Sequence, residues 1–218
     1  MQIRSLVLIA TALNCLFPPT GMAQSPIGDY PQILVETTAG EFVLELDARK
    51  APLTAAAFID RVRERFYTGT IFHRVIAGFV VQGGGHYKDY TATPEVTPLV
   101  NESGNGLSNV RATIAMARTD APHSAGAQFY INVGDNERLD PSRNRWGYAV
   151  FGQVVAGMDI VDAIATAPTG PGGPFAEDVP AMPIVVTEMR ILSAAEIEAR
   201  VQAELEAAEA MLESLEAQ

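Results

Sequence analysis

Short runs in which apolar and polar residues alternate, each closed by glycine, proline or a small polar turn, set the limits on what this chain folds into. Residues 32–38 and 41–46 flank Ala39-Gly40 and read as a hairpin with one buried face. Residues 71–75, 79–82, 112–116, 128–133, 149–154 and 184–192 read as further strands. Helical patterns are few. Pro52 stands near the start of an amphipathic stretch to residue 66, where a missing N–H costs nothing, and Ala56, Phe58, Ile59 and Val62 share one side of it. Residues 157–165 read as a second, shorter helix. Many short strands with few helices make a mainly β fold, a closed barrel or a sandwich. Residues 86–108 and 135–146 carry little pattern and read as ordered loops, a length class that often serves function.

The two ends differ from this middle. Residues 1–23 read as a signal peptide. Arg4 supplies the positive start and residues 5–17 the apolar stretch. Pro18 and Pro19 break it, and Gly21-Met22-Ala23 places small residues for cleavage before Gln24. The apolar stretch is shorter than the roughly 20 residues that span a bilayer, so no stable membrane insertion of the mature chain is expected. Residues 24–31 read as a flexible lead-in. The only cysteine, Cys15, lies inside the peptide, and Asn14 before it does not suit lipidation. The mature chain therefore has no disulfide, thiol nucleophile or Cys-ligated zinc, and the expected location is the periplasm. A net charge of −11 excludes the basic stripe of a nucleic-acid binder.

Residues 193–218 read as an acidic C-terminal helix. Ser193-Ala194-Ala195-Glu196 forms a capping box, and Val201, Leu205, Ala208, Leu212 and Leu215 make one apolar stripe. Two readings stand: a solvated or self-packed helix, or a short coiled coil through which the protein self-associates.

The densest signal is Phe72-His73-Arg74-Val75-Ile76, then Gly78-Phe79-Val80-Val81-Gln82-Gly83-Gly84. A second is Ala115-Met116-Ala117-Arg118 with Ala127-Gln128-Phe129-Tyr130-Ile131-Asn132; a third is Gly147-Tyr148-Ala149-Val150-Phe151-Gly152. In this order they resemble the cyclophilin family of peptidyl-prolyl cis-trans isomerases, over about residues 33–192 and most like its bacterial exported and cytosolic members. The resemblance implies a closed eight-stranded antiparallel β-barrel capped by two helices, an isomerase domain over residues 32–192, and proline-containing polypeptides as substrates. It implies that Arg74 is the central catalytic residue and that Gln82 orients it. Phe79, Val80, Tyr130 and Leu139 would form the proline pocket with Tyr148 at its edge. Ala117, Arg118 and Gln128 would line the groove, and His73 would support them.

No metal or cofactor is expected. His73, His86 and His123 lack metal-ligand spacing. Gly83-Gly84-Gly85 lacks the Lys-Ser/Thr of a phosphate loop and reads as a turn after a strand. A hydrolase is disfavoured because no Gly-x-Ser-x-Gly elbow occurs. A module that holds proline segments with little turnover is the alternative, although such a module need not keep Arg74.

Three positions depart from the family pattern. Val80 replaces the usual Met, Tyr130 the usual Phe, and Arg138 a Trp or Phe that contacts cyclosporin in sensitive members. Weak cyclosporin binding is therefore expected, and an inhibition titration with a submicromolar midpoint would contradict it.

Overall fold

Each of the eight barrel strands turns one alternating set of apolar residues toward a shared interior. A computed structural model describes residues 28–216, so the expected signal peptide and the first half of the lead-in lie outside the described residues. In chain order the elements are β1 (Gln32–Thr37), β2 (Gly40–Leu46), α1 (Pro52–Arg63), β3 (Thr70–Ile76) and β4 (Val80–Tyr87). Then come β5 (Thr113–Met116), β6 (Phe129–Asn132), a 3-10 turn (Glu137–Leu139), β7 (Val150–Ala156) and α2 (Met158–Ala165). The chain closes with β8 (Thr169–Gly172), β9 (Phe175–Pro180), β10 (Val186–Ile191) and α3 (Ala194–Glu216).

Eight strands form one antiparallel sheet in the order β10-β1-β2-β7-β5-β6-β4-β3. Its two edges meet through backbone bonds from Gly69 N–H to the Val186 carbonyl (2.8 Å) and from Phe72 N–H to the Ile184 carbonyl (3.1 Å). The sheet is thus a nearly closed barrel, which hides the unpaired edges of an open sheet. Inside lie Ile33, Leu44, Phe72, Val81, Phe129, Ile131 and Phe151. Phe58 and Ile59 of α1 and Val161 and Ile164 of α2 join the same cluster. Phe58 meets Phe129 edge-on at 5.6 Å. Each such fully buried side chain contributes about 1.5–3 kcal/mol. Tyr67, also buried, donates its hydroxyl to the Ala127 carbonyl at 3.0 Å.

α1 has no cap of its own: Ala51 precedes it and offers no side-chain oxygen. Glu102, from the loop between β4 and β5, supplies one instead. Its carboxylate accepts the Leu53 and Thr54 N–H groups at 3.2 and 2.8 Å and the Thr54 hydroxyl at 2.7 Å. A carboxylate there also suits the positive end of the helix. α1 ends at Arg63 rather than near residue 66, because Arg65 enters a left-handed conformation (φ 57).

Gly83-Gly84-Gly85 is not a turn; all three lie within β4. Neighbouring side chains lie directly over their α-carbons. A Cβ on Gly83 would sit 2.9 Å from the Phe72 ring, and one on Gly85 would sit 2.5 Å from Gln128. Gly84 has φ +79 and faces Tyr67 at 2.9 Å and Phe129 at 3.1 Å, so it needs both the space and the backbone freedom. The β8–β9 hairpin was not foreseen, since Gly170, Gly172 and Gly173 with Pro171 and Pro174 obscure any alternation.

α3 opens with reciprocal bonds between Ser193 and Glu196: Ser193 N–H to Oε2 (2.9 Å) and Glu196 N–H to Oγ (3.3 Å). Its first turns touch the barrel, Ile197 packing beside Leu34, Val43 and Leu192, and Arg200 pairing with Glu41 at 2.8 Å. Beyond them the stripe residues Val201, Leu205, Leu212 and Leu215 are exposed. The stripe is therefore not packed on its own barrel. Among the described residues no helix is long and apolar enough to cross a membrane.

Candidate active site

One transverse row of the sheet carries the site. Strand register places Arg74 opposite Gln82, Gln82 opposite Tyr130, Tyr130 opposite Ala115 and Ala115 opposite Val150. Their neighbours along the strands, Val75, Val81, Ile131 and Ile114, belong to the interior cluster. Because side chains alternate between faces, this row lies on the outer surface of the barrel. There Val80, Ala115, Tyr130 and Val150 form a second apolar cluster, flanked by Phe79, Leu107, Ala117, Leu139 and Tyr148.

A cavity of about 240 Å³ opens on this cluster. It is lined by Arg74, Phe79, Val80, Gln82, Ala117, Arg118, Tyr130, Leu139 and Tyr148. The volume suits one small ring rather than a large ligand. An adjoining hollow of about 600 Å³ shares Gln82, Ala117 and Arg118 with it and is walled by Gln128 and the Thr93–Val96 segment. The sequence-derived residues are thus brought together, with Gln128 at the junction of the two spaces. His73 lines neither and is buried behind them.

Arg74 sits at the mouth with its side chain 40% exposed. Its Nη1 donates to Gln82 Oε1 at 3.3 Å, and Gln82 Nε2 donates to Gln128 Oε1 at 3.0 Å. The guanidinium carbon lies 6.0 Å from the Phe79 ring centre, while Arg138 covers that ring at 4.5 Å. Among the described residues no hydrogen bond engages Arg74 Nη2, which leaves that donor for a ligand.

The added hydroxyl of Tyr130 does not fill the hollow. It donates to the buried Asn109 Oδ1 at 2.7 Å, and burial pushes the phenol well above its ordinary range. Asn109 is itself fixed by Asp140, whose Oδ1 accepts its N–H and its Nδ2 at 2.8 Å each. Asn136 donates to the Phe79 carbonyl at 2.9 Å and to Asn132 Oδ1 at 2.8 Å, pinning the β3–β4 turn. Sequence reading missed Asn109, Asn136 and Asp140. The signal was faint: Asn and Asp in a loop mark local bonding, but not its target.

Arg118 differs from the expectation in one respect. Its Nε donates to the Gly147 carbonyl (3.1 Å), Nη1 to that of Thr119 (2.7 Å) and Nη2 to that of Trp146 (2.7 Å). Its guanidinium also lies 4.6 Å from the Tyr148 ring centre. It lines the groove, but these donors hold the wall together.

Comparison with known proteins agrees with this geometry. The family model described as cyclophilin type peptidyl-prolyl cis-trans isomerase/CLD matches residues 32–191. Peptidyl-prolyl cis-trans isomerase A of Dickeya dadantii is 44% identical over 193 residues, covering 88% of this chain and 99% of that protein. Peptidyl-prolyl cis-trans isomerase B of Escherichia coli is 46% identical over 162 residues, covering 73% of this chain and 98% of that protein. The crystal structure of a Cryptosporidium parvum cyclophilin type isomerase superposes with a TM-score of 0.61. It covers 75% of this chain and 98% of the other at 22% identity, a likeness of fold.

Behind the site, His73 and His86 stand with ring centres 4.8 Å apart and Phe175 beside both, although nothing in their spacing pairs them. Both Nδ1 atoms are buried without a hydrogen-bond partner among the described residues. Burial, and then the neighbouring His86, lower the His73 imidazole from its ordinary 6.5 to about 4; burial lowers His86 too. Between those pH values the unfolded chain binds a proton that the fold refuses. His73's contribution is complete above about pH 6.5 and is lost as pH falls towards about 4. Denaturant titrations across that window should show stability falling by up to about 1.4 kcal/mol per pH unit for one such group. His73→Gln should flatten the slope, and an unchanged slope would contradict the assignment.

Proposed function

We propose, from the premise that this chain belongs to the cyclophilin-type peptidyl-prolyl cis-trans isomerase family, that Arg74 drives proline-bond rotation in exported polypeptides as they fold. The chain is a peptidyl-prolyl cis-trans isomerase. What carries the mechanistic reading is the guanidinium tethered by Gln82 at the mouth of an apolar, ring-sized cavity.

Resonance keeps the bond before proline planar, and rotating it costs about 18–20 kcal/mol. Near the top of that barrier the C–N bond is twisted, and the proline nitrogen recovers its lone pair. A donor fixed near that nitrogen binds the twisted state more strongly than either planar one, which is what lowers a barrier. Arg74 offers Nη2 for this, and its planar fork is already oriented by Gln82. Phe79, Val80, Tyr130 and Leu139 hold the pyrrolidine ring while the preceding carbonyl turns. Gln82, Gln128, Ala117 and Arg118 face the backbone on either side of it, where the two hollows join. Every step is a rotation, so no group accepts or loses a proton.

The export reading rests on residues 1–23, and the periplasm is its consequence: there, newly delivered chains wait tens of seconds or more on uncatalysed proline steps. The domain limits, 32–192 for the isomerase and 193–218 for the acidic tail, belong to the same reading. The exposed stripe of α3 offers a seat for a second copy of the chain. Glu204 and Glu209 flank that stripe, so pairing should be weak at low ionic strength and strengthen as salt screens them. Sedimentation of the full chain with rising salt reads this out; a monomer throughout overturns it.

Arg74→Ala should lower kcat/KM in a protease-coupled proline-peptide assay by about 10²-fold, the scale for removing one fixed donor. Thermal stability should barely change, because the side chain is partly exposed and its ion pair with Asp178 spans 3.8 Å. Undiminished turnover would refute the mechanism. A chain that binds proline peptides tightly but does not turn them over would favour the holding module instead.

A further inference from the structure

Arg74 has a charged neighbour on an element with no strand signal in the sequence. β9 runs beside β3, and Asp178 within β9 holds a left-handed backbone conformation, φ 65. A residue with a side chain rarely sits there, although Asp tolerates it better than most. That conformation is accompanied by a specific approach: Asp178 Oδ2 stands 3.8 Å from Arg74 Nε, with its side chain 28% exposed. Asp178 does not line the proline cavity, so it does not touch a ring seated there.

The guanidinium thus has one hydrogen-bonded corner and one charged neighbour. Gln82 holds Nη1, and the Asp178 carboxylate faces Nε. A bonded corner and a carboxylate charge beside Nε together bias the plane of a rigid fork and so the direction of Nη2. We propose that Asp178 is a positioning residue: its carboxylate, delivered by a left-handed backbone kink, aims Arg74 at the twisting bond. This rests on the role given to Arg74 above. Misplacing a reacting group by an ångström is enough to cost a large factor in rate.

The test is a double-mutant cycle on the full chain, read as kcat/KM alongside thermal midpoint. Asp178→Asn keeps the size and the left-handed tolerance but removes the charge. It should lower kcat/KM about five- to tenfold, on the scale that imprecise aim costs, with the midpoint unchanged. In an Arg74→Ala background the same substitution should change nothing. Asp178→Gly should also lose activity while its midpoint holds or rises, since glycine relieves the kink; a merely structural residue would not separate the two readouts. Glu177→Gln, an exposed neighbour, serves as the control and should keep full activity. Wild-type turnover in Asp178→Asn overturns the positioning role and leaves the role of Arg74 standing. Equal losses in both backgrounds overturn it too. Full turnover in Arg74→Ala alone overturns the mechanism from which it was built.

Discussion

The pairing of β3 with β4 sets everything else in place. In that ladder Arg74 stands opposite Gln82, and a slip of one residue would send Arg74 into the barrel interior. Gln82 in turn faces Tyr130 on β6, so the same register fixes where the guanidinium lies relative to the apolar cluster. Glycines let the two strands stay in register: side chains at Gly83 and Gly84 would collide with Phe72, Tyr67 and Phe129. The geometry of the candidate site and the interior packing are therefore two outcomes of one hydrogen-bonded ladder.

Loops finish what the ladder begins. Asn109, Asn132, Asn136 and the half-buried Asp140 form a set of side-chain bonds beside the ring-sized cavity. It accepts the Tyr130 hydroxyl and holds the Phe79 carbonyl. Arg118 commits Nε and Nη2 to the backbone of the facing Trp146-Gly147 segment and Nη1 to its own neighbour Thr119. A pocket built this way is rigid before substrate arrives, and little ordering remains to be done on binding.

Much of this was legible in the chain. Alternation located the barrel strands to within a few residues, and the stretch from Phe72 to Gly84 pointed to Arg74 and Gln82. What alternation cannot carry is which strand lies beside which. The Arg74–Gln82–Tyr130–Ala115 row joins segments many residues apart and appears only once they pair. The glycines of β4 were misread because their need for space comes from Tyr67 and Gln128, both far along the chain. Asp178 left no trace at all, since its hairpin is masked by Gly and Pro and its backbone angle belongs to no sequence pattern.

Glu102 adds a coupling that reaches beyond the pocket. It stands in the loop that also supplies Thr93 to Val96, part of the rim of the larger hollow, yet its carboxylate terminates α1 on the far side of the chain's topology. One loop therefore carries both the cap of the helix and part of the groove rim. Amide exchange at Leu53 and Thr54 therefore reads out the hold of that loop on the helix, at a distance from the ring-sized cavity.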